Sequence, residues 1–263
     1  YPVSYASAGG RLLVRPEIDY IPLKGPRHFG LPVEYNHYRF HFDVVRQADR
    51  LTQARDAGFI YQRMSICNFS GVELSRRLNK PLVLEYNGSE AWVAKNWGSA
   101  LRSQALAERC EEIALRHAHL VVTISDVLRD ELLERGVPAE RIVTYPNCID
   151  PETFDPGRFS AADKSALRAR YGIPDDALVV TFVGTFGQWH GAPVLAQAAR
   201  IMLDQRAEWV VAKKLHFLFV GDGLRMPEVK AALGPQLESL HVTMTGLVLQ
   251  KEAPAYLAAS DIL

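Results

Sequence analysis

The sequence predicts an α/β protein with two parallel-sheet domains, the second incomplete. Short β-branched or apolar runs alternate with helical stretches along the chain, the order that builds strand–helix–strand units. Those runs are almost continuously apolar, as strands are when helices cover both faces of a parallel sheet. A proline-punctuated stretch near the middle fits neither a helix nor a strand and divides the chain into residues 1–150 and 151–263.

In chain order, residues 24–42 (KGPRHFGLPVEYNHYRFHF) are basic and aromatic and read as a loop followed by a half-buried helix. A membrane or acceptor contact is the competing reading of that segment. Strands are predicted over 59–65, 81–87, 119–125 and 141–147. The clearest helix is 99–117, where Leu101, Leu106, Cys110, Ile113 and Ala114 recur at helical spacing with Glu, Arg and Gln opposite. Ser125-Asp126, then VLRDELLER and Gly136, read as a cap, a short amphipathic helix and a stop. Pro151 and Pro156 mark the linker, and further strands are predicted over 177–184, 215–221 and 241–248. Residues 259–263 read as the start of another strand, and the chain begins with Tyr1, so a piece of a longer protein is expected.

At 263 residues the chain suits one large domain or two modest ones. With 48% hydrophobic and 23% charged residues it can bury a core, and 30 basic against 30 acidic residues give no bulk-charge sign of a nucleic-acid protein. Basic clusters at 11–15, 24–27 and 76–77 are short enough to be solvated surface. Cys67, Cys110 and Cys148 show no metal-ligand spacing and are expected to be free thiols in the cytoplasm. No apolar run is long enough to span a bilayer, and no signal peptide is visible.

The most informative stretch is ALVVTFVGTFGQWHG, residues 177–191, an apolar run leading into a glycine-punctuated loop and a helix start near Ala192-Pro193. Gly184, Gly187 and Gly191 allow close backbone approach, and the helix start directs unpaired N–H groups at a bound anion. A tight turn with no ligand is the competing reading. Ligands of open parallel sheets sit beyond the carboxyl ends of the strands, where this loop, Asp222-Gly223 and residues 87–90 all fall.

The run VVTISDVLRDELLERGVPAERIVTYPNCIDPETFDP resembles the domain-crossing segment of retaining family 4 (group 1) glycosyltransferases. In that family a Ser after the strand, a Gly-x-Pro and a Pro-Asn-Gly-x-Asp…Phe-x-Pro recur in this order, and Cys148 stands where glycine is usual. TFVGTFGQWHGAPVLAQA, LHFLFVGDG, VTMTGLV and YLAASDIL continue the resemblance, which covers roughly residues 59–263. It implies the GT-B fold: two Rossmann-like domains, the first on the acceptor side and the second binding the nucleotide-sugar.

Several residues acquire roles by that resemblance. Thr185 and His190 stand where the family's Gly-Arg-Leu-x-x-x-Lys-Gly has Arg and Lys, so His190 is expected to inherit the diphosphate. An imidazole beside an anion gains a proton more readily and supplies charge. Gly184, Phe186, Gly187, Trp189, Gly191, Asp222, Gly223, Gly246 and Val248 are the other donor-side residues implied, with residues 246–248 meeting the nucleobase through backbone groups. Asn87 takes the place of a catalytic-site His; asparagine is neither acid nor base, so a hydrogen bond to the sugar is its expected contribution. Arg63, Glu85, Glu90, Ser125 and Asn147 are the acceptor-side candidates, with a solvated turn as the competing reading of the two carboxylates.

The implied reaction is sugar transfer from a nucleotide-sugar to a glycan, lipid-linked or other hydroxyl acceptor with retention. The nucleotide-sugar is a co-substrate; no cofactor and no metal are expected, since no Asp-x-Asp follows an apolar strand. The family's Glu-x7-Glu would lie just beyond Leu263, so this chain alone is expected to be inactive. A non-catalytic nucleotide- or glycan-binding module is the alternative. A nicotinamide dehydrogenase is disfavoured because no Gly-x-Gly-x-x-Gly follows an early strand with an acidic residue about 20 positions on. Peripheral membrane contact is expected for relatives acting on lipid-linked acceptors.

Overall fold

The computed structural model describes residues 30–48, 57–98 and 100–263. The basic clusters at 11–15 and 24–27 and the predicted helix start at Ser99 lie outside the described residues. The chain divides into two compact units, Tyr1–Asn147 and Cys148–Leu263.

In the first unit, α1 (Val33–Ala48) starts after Pro32, whose carbonyl accepts from the Tyr35 and Asn36 amides. Four parallel strands follow in sheet order β1 (Ile60–Arg63), β2 (Leu82–Tyr86), β3 (Leu120–Thr123) and β4 (Ile142–Thr144). The connecting helices are α2 (Ser70–Leu78), α3 (Glu90–Asn96), α4 (Gln104–His117) and α5 (Asp126–Glu134). Because strands add in one direction, right-handed crossovers place these helices on one face. The burial alternates accordingly. Leu82, Leu84, Tyr86, Val121 and Ile142 are buried with α2, α4 and α5, whereas Tyr61 and Val143 are exposed.

Helix α4 starts at Gln104, later than its apolar pattern suggests, because the Ser103 amide is taken by the Glu34 carboxylate at 2.8 Å. Helix α5 ends as predicted: Gly136 at φ +80° lets Val137 N–H reach back to the Leu132 carbonyl. Cys67 and Cys110 are free thiols buried in one small cluster with Ala91 and Ala107, and Cys148 is exposed.

The linker belongs to the second unit and is locally ordered. Asp150 accepts from the Thr153 hydroxyl, and Arg158 donates to the Thr153 carbonyl at 2.7 Å. After α6 (Ala161–Arg170), capped by a reciprocal Ser160–Asp163 pair, comes a parallel sheet of order β5 (Leu178–Val183), β6 (Leu215–Val220), β7 (Val242–Gly246). Helices α7 (Ala192–Gln205), α8 (Ala207–Ala212) and α9 (Met226–Leu233) form one layer with Phe217 and Phe219 in its core. On the opposite face Leu218 and Val220 pack with Ile173, Val179 and Tyr256, the last from α10 (Ala253–Ala258). Strand β6 is therefore buried along its whole length. Each fully buried Phe or Leu contributes about 1.5–3 kcal/mol. Ile262 forms a parallel bridge with Val180 on the free side of β5, in line with the strand start expected at 259–263.

Candidate functional site

The carboxyl edge of the second sheet is laced together by backbone. Leaving β5, Gly184 N–H donates to the Val220 carbonyl at 3.0 Å, and Phe186 N–H donates to the Asp222 carbonyl at 2.9 Å. Arg225 N–H returns to the Phe186 carbonyl at 2.8 Å, and Gly221 N–H reaches the Gly246 carbonyl at 3.0 Å. The loops after β5, β6 and β7 thus form one main-chain platform. A Cβ at Gly221, where φ is +129°, would lie 1.9 Å from the Gly184 carbonyl oxygen, and one at Gly223 would lie 2.8 Å from Phe186 N. Those two glycines exist for loop-to-loop contact.

Beyond this platform the chain turns at 187–190 and enters α7 through Gly191, whose φ of +78° is a left-handed conformation suited to glycine. The Val194 and Leu195 amides both donate to the Gly191 carbonyl. The amides of Thr185, Gly187, Gln188, Gly191 and Ala192 have no protein acceptor among the described residues. They stand at the start of a 14-residue helix, where a negative charge gains about 0.3–1 kcal/mol when exposed. His190 lies across this turn with Nδ1 2.7 Å from the Thr185 carbonyl oxygen and 2.8 Å from its hydroxyl. Trp189, exposed, meets the imidazole edge-on at 5.5 Å.

One donor-side expectation is corrected. The Phe186 ring is completely buried in the α7–α9 core, edge-on to Phe182, and both its main-chain groups are engaged, so it has nothing to offer a ligand. Gly223 likewise has its amide taken by the Asp222 carboxylate at 2.7 Å, although that carboxylate remains exposed. Val248 packs its side chain, partly buried, against the core containing Tyr256, and Gly246 turns there at φ +71°.

The carboxyl edge of the first sheet is built from side chains. Glu85 is the hub: Tyr61 donates to Oε2 and Asn87 Nδ2 to Oε1, each at 2.8 Å, and Arg63 Nε lies 3.6 Å from Oε1. Burial and the bond to Glu85 push the Tyr61 hydroxyl up to about 12. Asn87 Oδ1 is buried without a partner. Glu90, in the first turn of α3, has its carboxyl raised above the usual range by burial on its inner side, reinforced by Glu111 and opposed by Arg63.

Glu111, Arg135, Tyr86 and Glu131, which drew no attention in the sequence, set the position of this edge. The Glu111 carboxylate accepts from the Ala91 amide at 2.8 Å, from the Ser89 hydroxyl and from Arg135. Arg135 also donates to the Tyr86 hydroxyl, which donates to Glu131 at 2.6 Å. Helix α3, and the 87–90 turn before it, are therefore held by a nearly buried carboxylate on α4. Ser125 caps α5 through the Leu128 amide at 3.3 Å, a local role, and Asn147 lies exposed beyond β4. Arg63, Glu85, Asn87 and Glu90 are thus brought together, whereas Ser125 is engaged in capping α5 and Asn147 lies exposed beyond β4.

Two parallel α/β units in tandem, each with its polar groups at the carboxyl edge of its strands, are the architecture of the GT-B class. The sequence places the chain more narrowly: the glycosyl transferase 4-like domain matches residues 8–148, more than half of the chain, which belongs to that family. The 2-deoxystreptamine glucosyltransferase of Streptomyces kanamyceticus is 27% identical over 160 residues, 60% of this chain and 39% of that protein. A D-inositol 3-phosphate glycosyltransferase of Stackebrandtia nassauensis is 36% identical over 114 residues, 42% of this chain and 24% of that protein. HepE of Anabaena, solved in complex with UDP, superposes with a TM-score of 0.59 at 22% identity, over 85% of this chain and 55% of that one, a likeness of fold. The chain spans well under half the length of these curated relatives. No helix of the described residues is long and apolar enough to cross a membrane.

Proposed function

We propose that this chain is part of a retaining, metal-independent glycosyltransferase. Its second unit would hold the diphosphate of a nucleotide-sugar, and its first unit would present a glycan or lipid-linked hydroxyl acceptor. The observation that supports this best is the set of unpaired amides at the glycine-led start of α7 with His190 beside them. Loss of a diphosphate as positive charge builds on the sugar is the demanding step of such a transfer. Preorganised donors aimed at the leaving anion are the largest help a protein can give. On the acceptor side Glu85 is already tied to Tyr61 and Asn87, whereas Glu90 carries no hydrogen bond among the described residues and is the carboxylate open to an acceptor hydroxyl. The curated relatives are named as glycosyltransferases, and HepE is described with UDP, which makes UDP the natural probe.

Titration calorimetry of the chain with UDP tests the reading. Binding is expected, weakened about tenfold in His190→Ala (about 1.4 kcal/mol) with no change in stability, because the residue is exposed. Absence of UDP binding overturns the proposal, and NADH binding in its place would revive the dehydrogenase reading. UDP binding without transfer by the full-length parent would favour the non-catalytic module.

A further inference from the structure

The contacts of His190 carry a consequence that its place beside the amides does not. Its Nδ1 lies 2.7 Å from the main-chain carbonyl oxygen of Thr185, and a carbonyl oxygen can only accept. The proton must therefore sit on Nδ1, with the Thr185 hydroxyl oxygen at 2.8 Å as a second acceptor for it. Gly187 makes this arrangement possible, since a Cβ there would come within 3.0 Å of Nδ1. Nε2 then bears a lone pair and has no protein partner among the described residues. A neutral ring held this way accepts hydrogen bonds at Nε2 and repels a phosphate oxygen. Only the doubly protonated ring can donate to one.

We propose that Thr185 is a positioning residue that fixes His190 as the Nδ1–H tautomer, so that a diphosphate is held at Nε2 only together with a proton. The tautomer follows from the contacts alone, whereas the proton linkage rests on the donor-site reading above. Few charged groups face this turn. On the β6–α9 loop packed against it, Asp222 accepts from the Gly223 amide and Arg225 pairs with Glu228. No carboxylate lies within ion-pair reach of His190 among the described residues, so no protein group pairs with a charged ring there before the anion binds. UDP binding should accordingly take up a proton wherever the free ring is neutral and weaken as pH rises. A donor sugar hydroxyl, by contrast, would be accepted by the neutral ring.

Two measurements on the chain test this. Nitrogen-15 spectra of the histidine side chains, with the His190 signals assigned by their loss in His190→Gln, should show Nδ1 protonated and Nε2 bare. Thr185→Val keeps the main-chain carbonyl and should leave Nδ1 protonated. Calorimetry with UDP in buffers of different ionisation enthalpy, over about pH 6 to 8.5, should show uptake approaching about one proton per UDP, abolished in His190→Gln. An Nε2–H ring in the parent or in Thr185→Val, or UDP binding without proton uptake, overturns the inference and leaves the donor site standing. Failure of UDP to bind at any pH overturns the proton linkage and the donor-site reading together.

Discussion

The two sheet edges solve the same problem with different materials. In the second unit the edge is main chain: loops after three strands hydrogen-bond to one another and leave amides over at a helix start. In the first unit it is side chain: Glu85 gathers Tyr61, Asn87 and Arg63, and Glu111 gathers Ser89, Ala91 and Arg135. A backbone platform depends on glycine at a few points and is otherwise indifferent to residue type. A side-chain hub depends on each partner. The loop after β5 therefore keeps its shape and its spare amides whatever most of its side chains are, whereas the edge of the first sheet changes character with each substitution.

The sharpest break of this contrast is Gly221→Ala. Its methyl would collide with the Gly184 carbonyl oxygen in a conformation that L residues rarely adopt, so we expect a loss above about 4 kcal/mol in the second unit. Denaturant unfolding followed by probes in each unit should show the first unit unaffected; a uniform shift in both would contradict the division. Next comes Glu111→Ala, which strands the half-buried Arg135 and frees the Ala91 amide. A loss of about 3 kcal/mol is expected, confined to the first unit, with UDP binding retained.

Acid should act on the second unit through His216. Burial, with lesser contributions from His241 and Arg168, lowers its pKa to about 4. An unfolded histidine titrates near 6.5, so between those values the unfolded chain binds more protons and stability falls as pH drops. The full stabilisation, at most about 3 kcal/mol, is present above about pH 6.5 and lost as pH falls toward 4. His216→Gln, which can keep the bond to Thr243, should flatten that dependence, and an unchanged profile would assign the acid sensitivity elsewhere. The smallest effect is expected from Gly191→Ala. Space is open there, and only the left-handed φ of +78° opposes the change, for about 1–2 kcal/mol measured by thermal unfolding.

Much of the fold was legible because its signals are local. All seven strands of the described structure lie within the predicted spans, shortened by up to three residues at the ends, where chain leaves the sheet for the loops. The Ser125 cap, the Gly136 stop and the start of α7 after Gly191 also stand where their residue types place them. The site was less legible. Phe186 sits inside a glycine loop and reads as part of a ligand cradle, yet it is the plug that anchors the loop to the core. Glu111 reads as one more charge on a helix face. Its partners lie 20, 22 and 24 residues away, and no spacing in the chain announces them.

The sequence by itself determined where strands, helices and glycine turns fall, and which turns end up at the carboxyl edges, because apolar periodicity and φ preferences act over a few residues. The three-dimensional structure alone decided which glycines pack against backbone and which remain open, which aromatic side chain enters the core, and on which nitrogen His190 carries its proton. Those outcomes depend on distances between segments far apart in the chain, and ångström-scale contact, not residue identity, settles them.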